Sequence, residues 1–215
     1  MPLLAYCVME SGAEPQAVPA GVGDIPVEQV LAAGLRCFFS RFHSRDQFSQ
    51  IPAIQSALAF HHVLQALFEQ AAIIGFRFPT LVEDEPGLLQ YLREHAAEYR
   101  EALARLRHLV QMEIHIAAAG EPEKVASPSG REYLQMRRQR VAAVESIAER
   151  FHHAAGPWIV EWRQRWNGAG MRCYALLPRD AVAGFLAAVQ ALNASAFARL
   201  SGPWPPSEFV EVKGS

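Results

Sequence analysis

This 215-residue sequence contains no apolar run approaching the ~18 residues that a membrane-spanning helix requires. Met1 to Ala13 starts apolar but has no basic flank and is cut by Glu10, so it reads as a strand and not as a signal peptide. Cysteine is scarce. Cys7, Cys37 and Cys173 are widely spaced and odd in number, which excludes a disulfide framework and a zinc pattern and suits a reducing compartment. An excess of one charge sign is also lacking: 20 Lys and Arg stand against 22 Asp and Glu, a net charge of −2. That balance leaves no electrostatic footprint for nucleic acid or an anionic membrane. A soluble, cytoplasmic protein without nucleic-acid or membrane partners is the expectation.

Catalytic and metal-binding patterns are missing as well. His61-His62 and His152-His153 are doublets, and adjacent helical residues point about 100° apart, so neither pair chelates. There is no Gly-x-Ser-x-Gly elbow, and Gly21-x-Gly23 is too short for a phosphate loop and lacks its helix. Glu83-Asp84-Glu85 has the composition of a cation site or acid/base pair, but an N-terminal helix cap explains the same residues. No catalytic, cofactor-binding or metal residue is expected. The competing reading, a small-molecule-binding or catalytic domain, gathers Glu83, Asp84 and His61 about one cleft.

What the sequence does have is enough apolar material for a core, at 51%. Leu3 to Met9 reads as a buried strand, followed by an irregular loop from Ser11 to Pro26. Leu35 to Phe42 is a strand, and Val27 to Ala33 a strand or a short helix. From Ser56, Ala57, Phe60, Leu64, Leu67 and Ala71 step by three and four along a helix. Ile74, Phe76 and Phe78 then alternate on one face of a strand. Glu83-Asp84-Glu85-Pro86 opens a helix of about five turns with Leu89, Leu92, Ala96, Tyr99, Leu103 and Leu106 inward.

The second half begins with the alternating strand Leu109 to Ile116 and a small-residue loop, Ala117 to Pro128. Ser129-Gly130-Arg131-Glu132 has capping-box form and leads a long helix with Leu134, Val141, Val144, Ala148, Phe151 and Ala155 inward. Ile159 to Trp166 and Met171 to Leu177 form a hairpin about Asn167-Gly168. Asp180 caps a helix carrying Val182, Phe185, Val189 and Leu192, and Phe197 to Ser201 is the last strand. This order is strand, helix, strand, strand, helix, strand, the ferredoxin-like layout; the first half is a modified version of it. The expected fold is α+β with two domains, each an antiparallel sheet with helices on one face: residues 1–108 and 109–201, followed by an arm at 202–215.

In the arm, Gly202-Pro203-Trp204-Pro205-Pro206 cannot be helix or central strand, because proline lacks an N–H and fixes φ. It is either packed on its own domain or presents Trp204, Pro205, Pro206 and Phe209 to a partner. Trp158, Trp162 and Trp166 add aromatic material of the kind used at protein interfaces and in cores alike. Arg77, set between Phe76 and Phe78, either faces solvent or pairs with Glu83 or Asp84. Arg137-Arg138-x-Arg140 is a solvated basic face or a contact for an acidic patch. The candidate partner-binding residues are therefore Trp204, Pro205, Pro206, Phe209, Arg77, Arg137 and Arg138.

These landmarks also resemble a known family. The Gly-Pro-Trp-Pro-Pro run with Phe209-Val210 is similar to the close of the GvpL/GvpF family of gas vesicle proteins. Leu4-Ala5-Tyr6, Phe60-His61-His62-Val63, Phe76-Arg77-Phe78-Pro79-Thr80, Ser129-Gly130-Arg131-Glu132-Tyr133-Leu134 and the stretch from Met171 to Asp180 resemble the family's landmarks in the same order. Ser207-Glu208 and Pro79 depart from it, where Tyr-Ser and glycine are usual. The resemblance implies a non-enzymatic accessory protein that helps build gas vesicles or associates with their shell. It further implies partners in the major shell protein and other gas vesicle accessory proteins, and no cofactor.

Overall fold

The structure is a computed structural model, and it describes residues 1–117, 130–167, 170–192 and 198–211. Ser129, Gly168, Phe197 and the loop from 118 to 128 lie outside the described residues, and with them the capping box, the hairpin turn and the start of the last strand. Two compact units are present: Met1–His108 with Trp204–Ser215, and Leu109–Pro203.

The first unit runs β1 (Leu3–Glu10), β2 (Val27–Ala32), β3 (Leu35–Arg41), α1 (Arg45–Ser49), α2 (Ala53–Gln70), β4 (Ile74–Val82), α3 (Glu85–Glu94) and α4 (Ala96–Leu106). Its antiparallel sheet has the order β2-β3-β1-β4. The second unit runs β5 (Leu109–Ala117), α5 (Gly130–Ala155), β6 (Glu161–Trp166), β7 (Gly170–Pro178), α6 (Val182–Ala191) and β8 (Ala198–Trp204), with sheet order β6-β7-β5-β8. The fold is α+β with two four-stranded antiparallel sheets, the second ferredoxin-like and the first a modification of that layout. Val27–Ala32 resolves as a strand.

The modification in the first unit is a second helical layer. Leu3, Ala5 and Val8 of β1 share a core with Leu88, Leu92, Tyr99 and Leu103 of α3 and α4. Tyr6, between them and pointing the other way, stacks on Phe60 of α2 with ring centroids 5.1 Å apart. This sheet therefore carries helices on both faces, which is why β1 is buried along nearly its whole length rather than alternating. Tyr6 also pins the long loop after β1. Its hydroxyl donates to Ser40 Oγ and accepts from the Val22 N–H, both at 2.9 Å, while Ser40 donates to the Pro26 carbonyl at 3.1 Å.

Three local expectations differ. The period over 83–106 predicts one helix, but the chain turns at His95, whose Nδ1 lies 3.0 Å from the Tyr91 carbonyl and whose ring stacks on Tyr91 at 4.4 Å. A side chain bonding into the helical ladder is a recognised cause of such a bend. The buried face of α2 is Ser56, Phe60, Val63 and Leu67, so Ala57 lies outside. Asp180 does not cap α6: it sits in a tight turn over Arg179–Ala181, and α6 begins at Val182.

The second unit keeps the simpler arrangement. Val110, Met112, Ile114 and Ile116 of β5 oppose Leu177, Ala175, Cys173 and Met171 of β7, giving one fully apolar sheet face. Val144, Ala148, Phe151 and Ala155 of α5, with Phe185 and Val189 of α6, supply the rest of the core. The opposite face carries Glu113, His115 and Arg172, with an ion pair of 3.3 Å between Glu113 and Arg172. Leu134 is 53% exposed and Val141 half-buried, so the buried stripe of α5 starts two turns later than its period predicts.

Candidate interaction site

The proline-rich segment begins as an edge strand, where a missing N–H costs no ladder bond. β8 continues through Pro203 to Trp204, with Gly202 at φ +117, a conformation that favours glycine. From Trp204 the tail belongs to the first unit. Phe209 is fully buried there, Pro205 and Pro206 are buried, and Val210 packs on the α3/α4 core. The Arg105 guanidinium donates to the Phe209 carbonyl. These residues fasten the tail to its own unit. Trp204 remains half-buried, its ring meeting His61 edge-on at 4.9 Å.

Next to that pair, α2 turns an apolar stripe outward. Ile54 and Leu58 are 77% and 66% exposed, one turn apart and leading to His61. A helix apolar on both faces is unusual at a free surface. The spacing Ile54, Leu58, His61 was readable in the sequence. Its outward direction was not, because apolarity on both sides leaves the buried face undetermined.

Arg77 is exposed. Ala5 pairs with Thr80 and Cys7 with Gly75, so β4 spends four residues, Phe76 to Pro79, where β1 spends one. This large bulge re-aims the side chains. Phe76 joins the α3/α4 core, 6.2 Å from the Tyr91 ring and 6.3 Å from Tyr99. Phe78 goes to the other side, 5.1 Å from Phe60 and 6.3 Å from Phe48. The expectation that both lie on one face is corrected by the bulge, which changes the alternation between them. The Thr80 hydroxyl donates to the Arg77 carbonyl at 2.6 Å and closes the bulge.

The acidic residues suggested as an alternative site do not converge. Asp84 caps α3 by accepting from the Gly87 N–H at 2.9 Å, Glu83 lies 3.9 Å from Arg45, and His61 is engaged with Trp204. Among the described residues no cluster of three His, Cys, Asp or Glu has metal-binding geometry, and no helix is long and apolar enough to cross a membrane. Burial pushes the Cys7 and Cys37 thiols up, and Cys173 up to about 12, so none is poised as a thiolate.

On α5, Arg137 and Arg138 are exposed and Arg140 half-buried. Arg140 enters a concavity: with Met136, Gln139, Ala143, Val144, Ile147 and Ala117 it lines a groove of about 410 Å³. The arginine cluster was legible in the sequence, but the groove was not. Met136, Arg140, Ala143 and Ile147 recur at the helical step, a signal hidden by the charge at Arg140.

Comparisons with known proteins agree with this architecture. A family model described as gas vesicle synthesis protein GvpL/GvpF matches residues 2–211. The chain is similar to the crystal structure of the gas vesicle protein GvpF from Anabaena sp. PCC7120, with 14% identity, 99% of this chain and 97% of that chain covered, and a TM-score of 0.77. It is similar also to gas vesicle protein GvpF from Microcystis aeruginosa, with 16% identity, 98% and 99% coverage, and a TM-score of 0.77. No curated protein matches the sequence. The structural likenesses show the fold, and the family match extends over both sheets and the proline-rich tail. This chain belongs to the GvpL/GvpF family of gas vesicle proteins.

Proposed function

We propose that this protein is a non-enzymatic accessory of gas vesicles, working in their assembly or as a minor shell-associated component. It acts by binding the major shell protein and other gas vesicle proteins in the cytoplasm. The observation that carries this reading is the family match from residue 2 to residue 211. The outward apolar stripe of α2 beside Trp204 supports it, since exposed apolar side chains grouped on one helix face mark contact surfaces. Trp204 in that surface, and elsewhere the exposed Arg77, Arg137 and Arg138, are the proposed contact residues, with Pro205, Pro206 and Phe209 holding the tail in place.

The test is co-expression with the major shell protein, followed by affinity pull-down and flotation of assembled vesicles. Capture with this chain in the floating layer identifies a shell component; capture without flotation identifies an assembly factor. Failure of both, with each protein folded, rejects direct binding to the shell protein. Trp204→Ala is expected to weaken capture by ~2 kcal/mol, about thirtyfold, if Trp204 is an anchor.

A further inference from the structure

We propose that the groove along α5 is a docking site for an amphipathic helix that carries a carboxylate on its apolar face. The inference rests on the reading of this protein as an accessory that works by protein contact.

The groove is elongated. Its lining residues run from Met136 to Ile147 on one helix, a rise of roughly 16 Å. A partner helix using anchors at i, i+3 or i+4, and i+7 spans about 10 Å of that length. Five of the lining residues, Ala117, Met136, Ala143, Val144 and Ile147, are apolar. Ala143 sits in the middle of the stripe, and a small side chain there lets a second helix come close.

Charge then selects the occupant. The segment from Gly130 to Ala143 contains four arginines against one glutamate. Arg137, Arg138 and Arg140 form no ion pair with any carboxylate among the described residues. Arg140 lines the groove itself, so any helix seated there takes its guanidinium out of water. Under a wholly apolar helix that burial is strongly unfavourable; opposite an Asp or Glu it becomes a paired, bidentate contact. The same residue repels a basic helix. Arg140 therefore acts as the specificity element of an otherwise apolar groove.

The experiment places a photo-crosslinking amino acid at Ala143 in the full chain, co-expressed with the gas vesicle proteins of its own organism. Crosslinked peptides are then read by mass spectrometry. A crosslink into a helix of another gas vesicle protein with Asp or Glu on its apolar face is expected. Its yield should fall at least tenfold in Arg140→Glu and by a smaller factor in Arg140→Lys, which keeps the charge but loses the bidentate fork, with the fold of each verified by circular dichroism. A crosslink to a second copy of this chain, to its own 118–129 segment, or to a helix without carboxylates overturns the proposal. So does no crosslink at all. If pull-down of gas vesicle proteins persists in Arg140→Glu at full strength, the groove is not the docking site while the accessory function stands. If the unmodified chain captures none of them, the functional reading fails first.

Discussion

Replacing Phe209 by alanine separates the two roles a proline-rich tail can have. Phe209 is fully buried in the first unit, held by its carbonyl's contact with Arg105 and flanked by buried Pro205 and Pro206. A buried aromatic removes ~150–250 Å² from water, and at ~25 cal/mol per Å² that is an upper bound of roughly 4–6 kcal/mol. Buried Phe→Ala substitutions cost about 3–5 kcal/mol once the remaining methyl and partial collapse are counted. The loss has a ceiling, because a tail that detaches completely forfeits no more than its own docking free energy. Guanidinium unfolding followed by far-UV circular dichroism should show the first unit's transition moving to lower denaturant by that amount. Limited proteolysis should find the tail newly cleavable. Trp204→Ala, at a half-buried position, should cost less than Phe209→Ala, ~1 kcal/mol. A Phe209→Ala loss below about 1 kcal/mol, with the tail still protected, would refute the assignment of Phe209 as the anchor.

Three further outcomes follow from the same structure. A Cβ at Gly21 would stand 2.2 Å from the Tyr6 hydroxyl and 2.4 Å from Ser40 Oγ, so Gly21→Ala should break the pin on the 11–26 loop. The expected cost is ~2–4 kcal/mol by thermal unfolding, and a loss under 0.5 kcal/mol would show that the loop relaxes freely. Burial raises the proton affinities of Cys7, Cys37, Cys173, Tyr6 and Tyr99 in the folded state. Their stabilisation is complete below the ordinary thiol value of 9.0 and is lost as pH rises through the folded values, for Cys173 between 9.0 and about 12. Urea stability should therefore be flat to about pH 8 and fall above pH 9 by up to ~1.4 kcal/mol per pH unit per group, less steeply in Cys173→Ala. At neutral pH all three thiols, being buried, should react with an aromatic disulfide reagent only on unfolding; a fast-reacting thiol in the native protein would contradict their burial.

The sequence by itself determined what depends on neighbours along the chain. Alternation over Leu109 to Ile116 made a half-buried strand, Asp84 and Pro86 opened α3, and three prolines about Trp204 demanded an edge or extended segment. The same local words, in order, carried the family. Tertiary structure decided what depends on residues far apart. Four residues of β4 opposite one of β1 sent Phe76 and Phe78 to opposite cores, which no alternation within β4 can encode. The outward face of α2 was ambiguous because both its sides are apolar, and only the sheet chose between them. Phe209 became an anchor rather than an offered side chain because the first unit presented Arg105 and a core for it. Periodicity fixes which side chains share a face, while burial belongs to the pairing of distant segments.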